Sequence, residues 1–278
     1  MSQLPIVILT RFNIRVHFKC PPKEGTTIPE TPWSDPTWMD ERIRLFETYT
    51  LPSVAGQTEP HEWIVLFHKD TPEGYKQRIA GWKAKTPAMT VMYLDNEECE
   101  RHLQIINQYL RDRYREAGKV ITLRIDSDDV IHAGYLDRLQ KAAEKVTDVP
   151  AIISFPHGFT FDEETKKIRW YTYEQNHFLA MINEAADERN CILNYAHSTI
   201  KQRGIPIIKD QEPDIVTWIE VVSRVNYINV FRTGSAEWKF PYRMKKEYPQ
   251  LGLRYNPVSW ALMCRRNRAE TSTGNKAK

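Results

Sequence analysis

Apolar and polar positions along the 278-residue chain fall into blocks that read alternately as strands and helices. Ile6 to Leu9 is a short apolar run suited to a buried strand, and "EWIVLF" (62–67), "TVMYL" (90–94) and "VITLRI" (120–125) repeat it. Helical patterns lie between these runs. Asp40 is placed to N-cap "ERIRLFETYT", and Pro52 to open a short helix over "SVAGQ". In "TPEGYKQRIAGWKAK", Thr71 is placed to N-cap a helix with Pro72 at its first position, and Tyr75, Ile79 and Trp82 share one helical face. "EECERHLQIINQYLRDRYREAG" aligns Leu103, Ile106 and Leu110 and stops at Gly118, while "AGYLDRLQKAAEKV" follows the fourth strand. Strands rich in Val and Ile that alternate with helices imply an α/β fold with a largely parallel sheet covered on both faces.

Past residue 150 the pattern changes. "AIISFPHGF" and "KKIRWYTY" flank the turn-like "DEETK" and predict a hairpin. A helix is expected over "HFLAMINEAADE", then a strand over "CILNYAHSTI" and an apolar run "IPII". The polar loop "KDQEPD" leads into "IVTWIEVV". Residues 1–264 are expected to form one continuous domain, with a first half (1–150) and a second half (151–264) walling a common cleft. The tail 265–278 reads as disordered.

Composition narrows the class. Apolar residues make up 41% and charged residues 27%, as in ordinary globular proteins, and Lys plus Arg exceeds Asp plus Glu by only 39 − 36 = 3. Part of that excess lies in the terminal "CRRNRAETSTGNKAK", so no nucleic-acid footprint is expected. No apolar stretch approaches the roughly 18 residues of a membrane span, and "MSQLPIVILTRF" lacks signal-peptide features, so a cytoplasmic location is expected. Cys20, Cys99, Cys191 and Cys264 stand far apart and suggest structural thiols.

In parallel α/β sheets ligands bind beyond the carboxyl ends of strands. Here those ends read "LTRFN", "FHKDTPEG" and "RIDSDD", which gathers Asp70, Asp126, Asp128 and Asp129 on one edge. Carboxylates this close repel one another unless a positive charge compensates. A divalent cation, Mg²⁺ or Mn²⁺, is the economical candidate, and Asp126 and Asp128, two apart in an extended end, would face one side. Two other readings of "DSDDV" stay open. Asp129 could simply cap the next helix. The pattern also fits haloacid-dehalogenase-like phosphatases, with Asp126 as nucleophile, Asp128 as acid/base, and Ser154 and Asp210/Asp214 as later motifs. That family places its aspartates on the first strand, which leaves the first 118 residues here unexplained.

Taken in order, "ILTRFN" (8–13), "LPSVAGQT" (51–58), "EWIVLFHKD" (62–70), "ITLRIDSDD" (121–129), "NHFLAMINE" (176–184), "YAHSTI" (195–200) and "WIEVVSRVN" (218–226) resemble GT-A fold glycosyltransferases, and more closely a bacterial rhamnosyltransferase family. The resemblance implies a Rossmann-like sheet flanked by helices with a smaller mixed, acceptor-side part. It implies a nucleotide diphosphate sugar donor (dTDP-, UDP- or GDP-linked), a glycan or lipid-linked acceptor, Mn²⁺ or Mg²⁺, and a role in polysaccharide biosynthesis. Carried over, Thr10, Arg11, Phe12, Asp70, Arg124, Asp126 and Asp128 would contact the nucleotide. Asp128, Asp129 and His197 would hold the metal. Inversion at the anomeric carbon needs a carboxylate base from the second half, with Asp214 first and Glu184 and Glu212 as rivals. A non-catalytic nucleotide- or glycan-binding module is the remaining alternative. This chain departs from the family at Ser223, where a histidine is usual. "WKFPYRMKKEYP" (238–249) mixes aromatic and basic residues suited to an anionic acceptor or to peripheral membrane contact.

Overall fold

The computed structural model describes residues 3–16, 29–210, 217–226 and 248–251. Strand β1 (Ile6–Arg11) leads to helix α1 (Pro36–Leu45), a π-helical turn (Phe46–Thr50) and α2 (Leu51–Ala55). Then come β2 (Glu62–His68), α3 (Glu73–Lys85), β3 (Met89–Leu94), α4 (Asn96–Glu100), α5 (His102–Tyr114) and β4 (Lys119–Arg124). The short β5 (Val130–Ile131), α6 (Tyr135–Ala143), β6 (Ala151–Ser154), β7 (His157–Asp162), β8 (Lys167–Thr172), β9 (Ala180–Glu184), β10 (Ile207–Lys209) and β11 (Trp218–Val222) follow.

Seven strands form one sheet in the order β10-β6-β9-β4-β1-β2-β3, parallel except for β9. Four form a smaller mixed sheet, β5-β11-β7-β8. The expected architecture, a mostly parallel α/β sheet flanked by helices with a smaller mixed part, is thus present. Alternate residues of β1 feed two cores. Ile6 and Ile8 pack with α1, α3 and α6, whereas Val7 and Leu9 pack with α5 and the turns after β9. From β1 the chain runs outward through β2 and β3, then returns to pair β4 on the other side of β1. That reversal opens a crevice beyond the ends of β1 and β4.

Several local expectations are corrected. Asp35, not Asp40, caps α1, with its carboxylate accepting from the Trp38 amide and Pro36 in the first turn. The helix expected over 177–188 is instead strand β9. Its residues 180–183 are buried throughout, and a strand covered on both faces carries no polar alternation to mark it. The strand expected over 191–200 is instead two 3₁₀ segments, Ile192–Asn194 and His197–Arg203. Asp129 caps no helix, because β5 intervenes before α6, and Thr71 does not cap α3, which begins after Pro72, because its hydroxyl donates back to the His68 carbonyl at 2.6 Å.

Gly158 on β7 pairs with Trp218 on β11, and the indole lies across it. A Cβ there would sit 2.2 Å from the ring, so only glycine admits this approach. Gly158→Ala is expected to displace Trp218 and lower stability by about 1–3 kcal/mol, read as a shift in denaturant midpoint at unchanged slope.

Candidate active site

Beyond the ends of β1 and β4 lies a cavity of about 500 Å³, walled by Arg11, Arg42, Arg124, Asp126 and Asp128 from the first half and by Tyr171, His177, Trp218 and Glu220 from the second. The turn after β4 decides how its three aspartates point. The Asp129 amide donates to the Asp126 carbonyl at 3.3 Å, so the chain bends over Ser127 and Asp128 instead of staying extended. The alternation that would have paired Asp126 with Asp128 is thereby broken, and Asp126 and Asp129 converge.

Each aspartate has its own cationic partner. Arg124 grips Asp126 through two bonds, of 3.2 and 3.0 Å. Arg42 donates to Asp128 at 3.0 Å and to the Ser127 hydroxyl at 2.6 Å, and Asn226 donates to Asp128 at 2.6 Å. Asp129 is fully buried, pairs with His177 Nε2 at 2.8 Å and accepts from the Val221 amide at 2.9 Å. The repulsion implicit in "DSDD" is therefore relieved by Arg124, two residues upstream in the same motif, and by Arg42 and His177, which sequence spacing alone does not associate with it.

The electrostatics follow. Burial by itself would raise the Asp126 carboxyl, but the Arg124 charge and hydrogen bonds, with His177 and Arg11 nearby, hold it well below the usual carboxylate range. Burial pushes the Asp129 carboxyl up, and the charge of Asp129 overcomes burial to push the His177 imidazolium up as well. The pair thus keeps a proton above the usual imidazole range. Arg11 is lowered to about 10 by burial and by Arg124 beside it. Among the described residues its guanidinium makes no side-chain hydrogen bond, so two cations crowd the floor of the cavity with one carboxylate between them.

The nucleotide candidates separate. Arg11 and Arg124 face the cavity, as does the edge of Phe12, whose ring otherwise packs on Phe46 and Phe67. Thr10 does not, because the next position of a strand points to the opposite face, where its hydroxyl accepts from Trp63. Asp70 also lies apart. It sits beyond β2 with its side chain 71% exposed, while Trp33 stacks on His68 at 3.8 Å. Glu184 is at the wrong end of the sheet, since β9 runs antiparallel to β4 and places Glu184 opposite Lys119, the start of β4. Glu212 and Asp214 lie outside the described residues, as does the stretch 238–247.

One group among the described residues brings together donors suited to a metal ion: Asp126, Asp129 and His177, with ligand atoms all within 4.8 Å of one another. Two carboxylate oxygens and one imidazole nitrogen are a donor set that fits a divalent cation such as Mn²⁺. Asp128 is engaged by Arg42 and Asn226 instead, and His197 stands outside the group with its Nδ1 against the Gln175 carbonyl at 2.7 Å. His177 was missed from sequence although it stands in "NHFLAMINE". Its signal was a lone histidine ahead of a buried run, which becomes informative only once that run is a strand beside β4. At Ser223 the hydroxyl donates to Asn226 at 2.9 Å, and Asn226 in turn holds Asp128. Ser223 therefore supports the aspartate turn through one intermediary.

Burial, with the positive charges of Arg124 and His177, lowers His197 to about 4, and burial also lowers His102. Both histidines gain protons more readily in the unfolded chain. Their contribution to stability is therefore present above the unfolded value near 6.5 and is lost as pH falls from there toward 4. Denaturant midpoints of wild type and His102→Gln taken at pH 8, 6 and 4 isolate the His102 share: the advantage of wild type over the variant should shrink as pH falls through that window.

An α/β protein with an acid- and arginine-lined crevice at its switch point is the class these features define. Residues 6–227 match the family described as "Putative rhamnosyl transferase", and the chain belongs to this family. No match exists among curated proteins. Among solved structures, TarS residues 1–349 from S. aureus is 12% identical at a TM-score of 0.43, covering 78% of this chain and 60% of that one. This chain therefore spans less than two thirds of that TarS fragment. A "putative nucleotide-diphospho-sugar transferase" from Desulfovibrio desulfuricans G20 is 11% identical at 0.39, covering 91% and 95% of the two chains. A 4-diphosphocytidyl-2C-methyl-D-erythritol synthase is 13% identical at 0.36, covering 90% and 99%. At these scores none of the three likenesses bears on function. Among the described residues no helix is long and apolar enough to cross a membrane.

Proposed function

We propose that the protein is a GT-A type glycosyltransferase that moves a sugar, rhamnose by family, from a nucleoside diphosphate donor to a hydroxyl of a glycan or lipid-linked acceptor. The observation that carries this reading is the pairing of Arg11 and Arg124 at the ends of β1 and β4, facing a cavity of about 500 Å³ beside Asp126. Two adjacent guanidiniums suit a diphosphate, which accepts several charge-assisted hydrogen bonds. A cavity of this size accommodates a nucleotide-sized ligand.

Asp126, Asp129 and His177 would hold a divalent cation, which when bound would offset charge developing on the leaving diphosphate. The chain's own residues set the stage for that. Arg124 fixes the Asp126 carboxylate in one orientation through two bonds, and the Val221 amide fixes Asp129. Arg42 and Asn226 lock the turn through Asp128. Tyr171 and Tyr173 line the second-half wall, where aromatic faces suit a sugar ring. The phosphatase reading asks Asp126 to attack as a nucleophile, and the two-bonded grip of Arg124 disfavours that.

Calorimetric titration with UDP, dTDP and GDP, with and without Mn²⁺, tests the assignment. Binding of at least one nucleotide, strengthened by Mn²⁺, is expected. Absence of binding by all three in both conditions would remove the reading.

A further inference from the structure

We infer that Glu220 is the base that removes the proton from the acceptor hydroxyl, an inference that rests on the glycosyl-transfer reading above. The argument begins with strand alternation. On β11, Ile219 and Val221 enter the apolar core of the small sheet, whereas Trp218 and Glu220 face the cavity. Glu220 is only 2% exposed, and acidic side chains are almost never that buried without a structural or chemical reason. Its neighbour Val221 is pinned by its amide to Asp129 at 2.9 Å, so the carboxylate is held at a fixed distance along the chain from the aspartate turn.

Other acids are less suited. Asp126, Asp128 and Glu30 line the cavity from the first half of the chain, and Glu184 lies at the far end of the sheet. Among the described residues, Glu220 is the carboxylate that the second half contributes to the cavity wall. It comes from the small sheet, together with Tyr171 and Trp218, while Arg11 and Arg124 come from the large one. A donor whose diphosphate lies on the arginines therefore presents its sugar toward the wall that carries Glu220.

The step balances as follows. The acceptor oxygen forms a bond to the anomeric carbon. The bond from that carbon to the diphosphate oxygen breaks, and its electron pair leaves with the nucleoside diphosphate. The acceptor's proton passes to a Glu220 carboxylate oxygen.

The test measures nucleoside diphosphate release from dTDP-, UDP- and GDP-rhamnose, with water or p-nitrophenyl glycosides as acceptors. Glu220→Gln keeps shape and loses basicity. Its kcat is expected to fall about 100- to 10,000-fold, with nucleotide affinity and unfolding midpoint close to wild type. Added formate should restore part of the rate in Glu220→Ala, which a purely structural glutamate would not allow. Glu220→Gln that binds nucleotide and turns over at the wild-type rate would overturn the assignment. Should the glutamine variant not fold, Glu220→Asp decides: a reduced kcat at unchanged donor KM supports the role, and an unchanged kcat overturns it. Failure of the underlying glycosyl-transfer reading shows separately, as a wild-type protein that neither binds the nucleotides nor turns over any of the donors.

Discussion

Asp129→Ala is expected to lower the stability of the protein by about 4 kcal/mol, an effect large enough to leave little margin in a marginally stable fold. Asp129 is wholly buried and connects three segments: its own turn after β4, His177 at the approach to β9, and the backbone of β11 through the Val221 amide. Removing it leaves a buried imidazolium and a buried amide without their acceptor, and breaking one side of a buried pair costs far more than the pair contributes. The magnitude also separates two meanings of this aspartate. A solvated cap or loop carboxylate would cost only about 1 kcal/mol on removal. Denaturant titration followed by tryptophan fluorescence distinguishes the two values. A loss near 1 kcal/mol would show that the two sheets are not joined through Asp129.

Arg11→Ala is expected to act the other way, weakening nucleoside diphosphate binding about 10- to 100-fold while leaving stability unchanged or slightly improved. The loss corresponds to one charge-assisted contact of about 1.5–3 kcal/mol. Stability is spared because burial, and after it the like charge of Arg124, already lower Arg11 to about 10, and it makes no side-chain hydrogen bond among the described residues. The free protein therefore holds a repulsion that an anion relieves. Calorimetry with the nucleotide found to bind the wild type, paired with unfolding midpoints, checks both halves. Unchanged affinity would move the diphosphate away from the end of β1.

Much of the first half was legible because its strands and helices have different periods. The buried runs of β1 to β4 are bounded by helices such as α3, whose Tyr75, Ile79 and Trp82 align on one face, and the order of these elements suffices to place "RIDSDD" at a strand end. Legibility failed where tertiary context overrode the local pattern. Phe178, Leu179, Met181 and Ile182 also occur at helical spacings, and only the position of β9 between β4 and β6 makes them a strand. With β9 misread, His177 could not be placed beside Asp129. The pairing of Asp126 with Asp128 failed for a smaller reason, a single turn that sequence patterning does not resolve. Glu220 was overlooked because one acid in "WIEVV" looks like the exposed position of an edge strand, whereas the cavity covers that face.

The antiparallel β9 has a consequence for how the protein can be divided. β4 carries the aspartate turn at its end, yet one of its two neighbours in the sheet comes from residues 180–184. A fragment ending near residue 150 would keep "RIDSDD" and lose His177, and it would leave the apolar edge formed by Val120, Ile121 and Leu123 open to any strand that met it. The two halves are thus interlocked by an exchange of edges, and a recombination that swaps second halves between relatives must carry β9 along with the first half or rebuild its pairing with β4.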